Sequence, residues 1–348
     1  MPHPLFWPSK TFFYPIGNTA AISLTQDLSP EQSADILLLG CGDPRNILFT
    51  LFADVTAPDR PRKLDITCCD IEPAILARNI LLLVLLDTKE PIDKIWDIFY
   101  HFKIDDESLS ILTRYSKQLY DDSESAASWY GTPYGSFLKF VNIRTMLEVR
   151  RRWKSYADFT SIPSDRLTKL HKEQATLSRS IVDEEGHNIS PSRAAGMLWV
   201  NATATMGNMF KRYWKTGTLL TRNNDVISAK HINPTFVYST PGEVFNPHYG
   251  TFPHGFHLMS AMIPFGSTTL SDSSEMETAI FSAMKDQFKA WAVSYRKSRA
   301  ANSIIIRFYA GEALAFCHGL DLFATTGNPA TGVFVSAWRA AQVNFVGS

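Results

Sequence analysis

The stretch ADILLLGCGDPRN, Ala34 to Asn46, decides the fold of this chain. Its apolar run ILLLG predicts a short buried strand, and the glycines at positions 40 and 42 let the backbone turn sharply and approach a ligand. The following run NILFTLFA, residues 46–53, has the apolar content of a helix. The stretch therefore predicts a strand, a tight loop and a helix in that order.

The next residues repeat this order. The run LDITCCD, which ends on Asp70, predicts a second strand, and Pro73 opens the long apolar helix AILARNILLLVLL. Together the two units predict a βαβα module with parallel strands. In such modules ligands lie beyond the carboxyl ends of the strands, where an acid such as Asp70 can bind ribose hydroxyls. The alternative is that the glycines only form a turn and that Asp70 only caps the Pro73 helix.

Composition limits the class of protein. The chain has 348 residues, of which 45% are hydrophobic, so it has ample material for a core, and its 34 basic and 34 acidic residues leave no net charge to attract nucleic acid or anionic lipid. Four cysteines without a CxxC pair argue against a disulfide scaffold or a zinc site. The longest apolar run, Ile80 to Leu86, is far shorter than a membrane span. We expect a soluble, cytoplasmic protein with no membrane contact.

The middle of the chain, residues 88–235, has mostly helical patterns and little strand signal. We expect a helical insertion there, between a first half-domain at 1–87, which includes the N-terminal segment, and the remaining strands at 236–348. Basic, aromatic helices around Arg150 and Lys211 raise the alternative of RNA binding, but charge runs are usually solvated helix faces. Nucleic acid is therefore the less favoured partner, after a small-molecule substrate or a protein.

The segment from Ile232 to Leu258 is rich in glycine, proline and asparagine, which is typical of a long loop that shapes a ligand site. Its histidines at 248, 254 and 257 could hold a metal, but no carboxylate accompanies them, and we expect no metal site. Candidates for a catalytic base are His248, Glu243 and Tyr249. For each of them, loop packing or turn bonding is the alternative.

The last third of the chain returns to strand signals. A helix from Met284 to Ala301 leads to the β-branched run from Ile304 to Phe308, which predicts a buried parallel strand that is broken at Gly311. The run LDLFATTGNPATG, residues 320–332, predicts a fourth short strand. The sequence thus predicts an α/β protein with a parallel sheet.

The apolar run before GCG, followed by an acid that ends the next strand, resembles the S-adenosylmethionine site of class I methyltransferases, and GEA at 311–313 resembles their adenine-contacting turn. The resemblance implies a Rossmann-like sheet with a large helical insertion, and S-adenosylmethionine as cofactor. It places the glycine loop under the methionine moiety, Asp43 at its amino group and Asp70 at the ribose. The implied cofactor-binding residues are Gly40, Cys41, Gly42, Asp43, Asp70, Ile71, Glu72, Gly311 and Glu312.

Four blocks are similar to a domain of unknown function in fungal proteins, often ahead of a MYND zinc finger, that also begins an axonemal dynein preassembly factor. The blocks are ADILLLGCGDPRNILFTLF, CDIEPAILARNILLLVLL, NPTFVYSTPGEVFNPHYGT and IRFYAGEALAFCH. This resemblance covers most of the chain and implies a methyltransferase-like fold without an established activity.

Three departures from the methyltransferase pattern weigh against catalysis. Leu38 stands where an acid usually precedes the first glycine, Pro44 replaces a third glycine, and Ala324 replaces an acid. About twenty residues follow position 324, too few for the rest of a seven-stranded sheet, which predicts an abbreviated sheet or a truncated chain. Two hypotheses result: a methyltransferase acting on a small molecule or a protein, and a non-catalytic interaction or assembly scaffold that retains the fold.

Overall fold

The computed structural model describes residues 13–17, 21–29, 31–55, 62–182, 203–238, 244–253, 273–313, 316–317 and 332–336. The strands are β1 (Ala34–Leu39), β2 (Leu64–Asp70), β3 (Lys103–Ile104), β4 (Leu138–Phe140), β5 (His231–Ile232), β6 (Val237–Tyr238), β7 (Val244–Phe245), β8 (Ile304–Ala310) and β9 (Gly332–Ser336). The helices are α1 (Arg45–Val55), α2 (Pro73–Leu86), α3 (Ile92–Tyr100), α4 (Asp106–Asp122), α5 (Ala126–Tyr130), α6 (Ile143–Ala157), α7 (Ser164–Val182), α8 (Thr203–Thr216), α9 (Asn223–Ser228) and α10 (Ser273–Ala300). The described chain is therefore mixed α/β.

The main sheet has five strands in the order β4-β8-β2-β1-β9, and every neighbouring pair is parallel. The chain passes from β1 to β2 on one side of β1, whereas β9 lies on its other side. β1 therefore lies between β2 and β9 inside the parallel sheet, and ligands of such sheets bind outside the carboxyl ends of the strands. The predicted α/β class with a parallel sheet is confirmed.

The predicted order of β1, α1, β2 and α2 is also confirmed. Proline is well tolerated in the first turn of a helix because its missing N–H would have no partner there, and Pro73 begins α2. All fourteen residues of α2 are buried, as expected of a helix that is apolar on every side. α2 packs against β2 and α6, while α1 packs against α10.

Arg78 is the charged exception in α2. Its guanidinium donates to the backbone oxygens of Phe99 (2.7 Å) and Thr235 (3.1 Å), and it lies over the rings of Phe99 and Phe236. Burial lowers the pKa of Arg78 to about 10. The carbonyl groups and aromatic faces replace water around the buried cation, and they fix α2 to the end of α3 and to the segment that follows β5.

The middle of the chain is mostly helical, as the sequence indicates, but β4 was not predicted. This strand has three residues, Leu138–Phe140, and pairs with β8 at the edge of the main sheet. Because a run of three residues is too short to show a period of two, no pattern marks it as a strand. The segment therefore contributes a strand to the sheet as well as helices.

The predicted helix from Met284 lies within α10, and the predicted strand from Ile304 is β8. The strand predicted in residues 320–332 lies almost entirely outside the described residues, which resume at Gly332, where β9 begins. Two small antiparallel pairs, β3 with β5 and β6 with β7, complete the described strands. Among the helices of the described ranges, none has the length and apolar content needed to cross a membrane.

Candidate functional site

Four loops meet at one edge of the main sheet because its strands are parallel. Leu39 pairs with Cys69, Asp70 with Ala310, and Phe140 with Phe308, so the carboxyl ends of β1, β2, β8 and β4 lie side by side. The loop at 40–43 follows β1, residues 71–72 follow β2, residues 141–142 follow β4, and residues 311–312 follow β8. The sequence expectation that the glycine turn and Asp70 share one edge therefore agrees with the structure.

The glycine loop has a shape that only glycine adopts readily. Gly40 has φ +64° and Gly42 has φ +58°, and a Cβ built at either position would meet no atom of the described residues within 4 Å. Both glycines therefore face open space. The Cys41 amide donates to the carbonyl of Cys69 and the Asn79 side chain donates to the carbonyl of Gly42 (2.6 Å), so protein groups hold the loop in place. The loop offers a ligand room for close approach.

Asp70 connects two of these loops. Its Oδ2 accepts from the Gly42 amide (3.1 Å) and its Oδ1 accepts from the Glu72 amide (2.9 Å). The cap of α2 is Glu72, whose carboxylate accepts from the amide of Ala74 (3.0 Å). The interpretation of Asp70 as the helix cap is thus wrong. Burial raises the pKa of Asp70, although the amides of Glu72 and Gly42 oppose the shift.

A cleft of about 440 Å³ opens beside the residues that follow β2 and β8, and its described lining includes neither the loop at 40–43 nor Asp70. Its lining residues come from the ends of β2 and β8 and from the first turns of α2 and α6, and they are Ile71, Pro73, Asn142, Arg144, Glu148, Tyr309, Ala310, Gly311 and Glu312. The volume is within the range of sites for small molecules, about 300–1,000 Å³. Three of the residues proposed from the sequence, Ile71, Gly311 and Glu312, therefore share one cleft.

Gly311 is needed because an aromatic ring lies against it. A Cβ at this position would lie 2.7 Å from the Tyr309 ring, and the Gly311 amide donates to the Asp70 carbonyl (2.9 Å). The Tyr309 ring also packs against Phe316, with their centroids 4.5 Å apart. Tyr309 thus gives the cleft an aromatic wall, and Ile71, with 68% of its surface exposed, gives it an aliphatic one.

Asp43 is buried and is bound by the protein itself. Its Oδ2 accepts from the Gly17 amide (2.7 Å), its Oδ1 accepts from the Arg45 amide (3.2 Å), and the Arg45 Nε lies 3.5 Å from Oδ1. The cavity that Asp43 lines with Trp96, Tyr100 and other residues measures only about 40 Å³. Asp43 therefore lines a different, much smaller space from the one that Glu312 lines.

The candidate base His248 belongs to the segment that lies along residues 13–17. Its backbone amide donates to the Phe13 carbonyl (2.7 Å), and its Nδ1 accepts from the Gly250 amide (3.1 Å). The ring stacks on Tyr14 with a centroid distance of 4.3 Å. Burial lowers the pKa of His248 to about 4, so it is neutral at pH 7 and a weak base.

Residues 13–17 connect this histidine with the glycine loop. Phe13 packs with Ala74 and Ile75 at the start of α2, and Gly17 binds Asp43. Tyr249 is 3.9 Å from His248 between ring centroids and is partly exposed, whereas Glu243 lies outside the described residues. The structure thus places His248 and Asp43 near opposite ends of one five-residue segment.

The alternative sites raised by the sequence have little support in the described residues. Within them, no group of three or more His, Cys, Asp or Glu side chains could hold a metal ion, and His254 and His257 lie outside them. In the basic helices, the aromatic side chains of Trp153, Tyr213 and Trp214 are fully buried. Those rings are core residues and cannot stack on bases.

Several contributors to the site were missed from the sequence, among them Gly17, Asn142 and Tyr309. Only Tyr309 had a usable signal, because an aromatic residue two positions before a glycine at the end of a strand can lie over that glycine. Asn142 caps α6 through Thr145, and Gly17 reaches Asp43 across 26 residues of sequence, so neither contact follows a local pattern.

Part of the chain matches a known family model. Residues 15–104 match the model of a family described as "Domain of unknown function (DUF4470)". The matched range includes β1, the glycine loop, β2 and α2, and it supports the resemblance of this part of the chain to a domain-of-unknown-function family. The curated proteins contain no match, and the solved structures contain none either.

Proposed function

We propose that this chain is a methyltransferase-like protein that binds S-adenosylmethionine. The observation that carries the proposal is the cleft of about 440 Å³ at the ends of β2 and β8, which lies beside a carboxylate, Asp70, bonded directly to a glycine loop that faces open space. The finer fold assignment, a class I methyltransferase-like Rossmann fold, rests on the same sheet edge together with the parallel strand order in which β1 lies between β2 and β9.

The residues present suit an adenosine group. Ile71 and Tyr309 offer the apolar and aromatic surfaces that bind a purine ring, and the exposed carboxylate of Glu312 can accept a hydrogen bond from the exocyclic amine. Gly40 and Gly42 leave space for the rest of the molecule at the end of β1. When bound, the cofactor would supply an electrophilic methyl group.

The protein's own contribution to such a transfer would be mainly positioning. Methyl transfer is an in-line displacement, so its rate depends chiefly on how well the nucleophilic atom of the acceptor is aligned with the methyl group. His248 has a pKa of about 4, so we propose it as a wall residue or hydrogen-bond partner for an acceptor rather than as a strong base. The acceptor, a small molecule or a protein, would approach from the side of residues 13–17 and 244–250.

A second function has a specific observation in its favour. Asp43 is bound to Gly17 and Arg45, and its cavity of about 40 Å³ is too small for the methionine moiety. The alternative is a non-catalytic interaction or assembly scaffold in the cytoplasm that retains the fold. The resemblance to fungal proteins with MYND zinc fingers and to an axonemal dynein preassembly factor supports this alternative.

A thermal shift experiment with S-adenosylhomocysteine, the demethylated product, tests the proposal. A ligand that binds only the folded state stabilises it by about 2.7 kcal/mol at one hundred times its Kd, so the intact chain should melt several degrees higher. The variant Glu312→Gln changes an exposed residue of the cleft and should reduce the shift without lowering the melting temperature of the free protein.

The matched control is Glu124→Gln, which alters an exposed acid that does not line the cleft. It should leave the shift unchanged. If the intact chain shows no shift at millimolar product, the cofactor proposal fails and the scaffold alternative remains. A shift that both variants reduce equally would mean that binding occurs outside this cleft.

A further inference from the structure

A second cleft, of about 400 Å³, lies between α7, α8 and β3, and it shares no lining residue with the cleft at the sheet edge. Its lining residues are Lys103, His171, Gln174, Ala175, Ser178, Arg179, Val182 and Lys215. Three of these side chains carry a fixed positive charge, and the lining includes no carboxylate. A cleft of this size and charge is suited to a small anion.

The three cations have no ionic partner among the described residues. Lys103, Arg179 and Lys215 make no salt bridge to a described acid. Two described acids on neighbouring helices, Asp106 on α4 and Glu173 on α7, have other partners. Asp106 binds Lys230 and His231, and Glu173 accepts a hydrogen bond from the Phe245 amide. The positive charges of the cleft are therefore not neutralised within the described chain.

Lys103 is held in place by its surroundings. Its amide donates to the Gly217 carbonyl (3.1 Å), and its aliphatic stem lies so close to Gly217 that a Cβ there would be 2.7 Å from the Lys103 Cγ. Burial lowers the pKa of Lys103, and no neighbouring acid opposes the shift. A half-buried ammonium without a counter-charge is unfavourable, and a bound anion would relieve that cost.

The walls of the cleft are also fixed. The Ser178 hydroxyl donates to the Trp214 carbonyl (2.8 Å), which joins α7 to α8 across the base of the cleft, and Gln174 beside it is buried. His171 faces the same space, and burial and the charge of Lys103 lower its pKa. These contacts fix α7 against α8, and the half-buried Lys103 is in place before a ligand arrives, which reduces the entropic cost of binding.

We propose that this cleft binds a small phosphorylated molecule. The lysine ammonium groups and the arginine guanidinium are the usual partners of phosphate oxygens, and three cations match an anion with two or more charges. The proposal does not depend on the cofactor proposal, because the two clefts share no residue.

Calorimetric titration of the intact chain with pyrophosphate at low salt tests this site. The double variant Lys103→Gln/Lys215→Gln should weaken binding roughly tenfold or more, since each lost cation removes a charge-assisted hydrogen bond. The control Lys172→Gln/Lys211→Gln removes the same charge from exposed lysines on the same pair of helices that do not line the cleft. It should change the affinity by less than about twofold.

A variant with Lys103→Arg and Lys215→Arg keeps the charges and should keep the binding, which separates charge loss from misfolding. The proposal is overturned by a lack of heat at millimolar pyrophosphate, by equal losses in both double variants, or by tighter binding of a glutamate-rich peptide than of pyrophosphate. A last contradicting result would be that pyrophosphate binds only after Asp183, Glu184 and Glu185 are changed to amides. These acids of the chain itself would then be the natural partners of the three cations, in place of a phosphorylated molecule.

Discussion

The Gly42 amide donates to the Asp70 carboxylate over 3.1 Å, and this hydrogen bond joins the loops that follow the neighbouring strands β1 and β2. The same carboxylate accepts from the Glu72 amide, one residue before α2 begins. One side chain therefore sets the shape of both loops at the candidate site. This arrangement explains why an acid at the end of β2 matters to the fold.

We expect Asp70→Ala to destabilise the protein by about 2 kcal/mol, because it leaves two amides of the sheet edge without their acceptor. Urea denaturation measures the change. Asp35→Ala, which alters an exposed acid on β1, should cost less than about 0.5 kcal/mol. Equal losses in the two variants would contradict the structural role of Asp70.

We expect Gly42→Ala to weaken binding of S-adenosylhomocysteine much more than it weakens the fold. The positive φ of Gly42 costs an alanine about 1 kcal/mol, but the new Cβ meets no atom of the described part of the chain and projects into the space that we propose for the ligand. Unfolding and binding are measured on the same preparation. A variant that binds the product as tightly as the intact chain would show that the ligand does not approach this loop.

We expect Arg78→Ala to be among the most damaging single changes in the described chain, with a loss of roughly 3 kcal/mol or failure to fold. The change removes donors from two buried carbonyls and empties the space between two aromatic rings. Arg114→Ala, in which the arginine is exposed and pairs with Glu90, should lose less than about 1 kcal/mol. Denaturant unfolding of both variants distinguishes them.

Asp97 and His101 make the stability dependent on pH. The His101 Nδ1 lies 3.2 Å from the Asp97 Oδ1, and its Nε2 accepts from the Leu219 amide, so the imidazole is neutral. Burial raises the pKa of Asp97 to about 7, with Lys285 opposing the shift, and burial lowers the pKa of His101 to about 3. Between about pH 4 and pH 7 the folded state therefore holds a proton on Asp97 that the unfolded state has released.

Because the folded state binds this extra proton, the contribution of Asp97 to stability falls as the pH rises from about 4 to 7. His101 acts in the opposite direction between about pH 3 and its ordinary pKa of 6.5. The test compares the free energies of unfolding of the intact chain and of Asp97→Asn at several pH values. The first minus the second should decline by up to about 1.4 kcal/mol for each pH unit between about pH 4 and pH 7. A difference that does not change with pH would contradict the assignment.

Much of the sheet could be predicted because its central elements are marked by long apolar runs and by glycine or proline at their ends. β1, β2, α2 and β8 all have such signals. β4 could not be predicted, since three residues carry no period, and the order of the strands depends on packing between distant segments.

The candidate site was predicted in part for the same reason. Residues at or just after the end of a strand, such as Asp70 and Glu312, follow from the pattern, whereas the hydrogen bond from Gly17 to Asp43 joins segments that no local pattern relates. The helix-capping role of Glu72 was also missed, because Asp70 and Glu72 both precede Pro73 and a sequence does not show which of two acids reaches the first turn.

The proposed nucleoside site is best tested by calorimetric titration of the intact chain with S-adenosylhomocysteine, since this experiment needs neither a methyl acceptor nor a variant. We expect saturable binding at one site per chain, with an affinity in the micromolar range. Free adenosine should compete for the same site and so weaken the apparent affinity for S-adenosylhomocysteine. No heat at millimolar product, or saturable binding that adenosine does not affect, would contradict the claim that the loop at Gly40 to Asp43 and the cleft beside Asp70 form a nucleoside site.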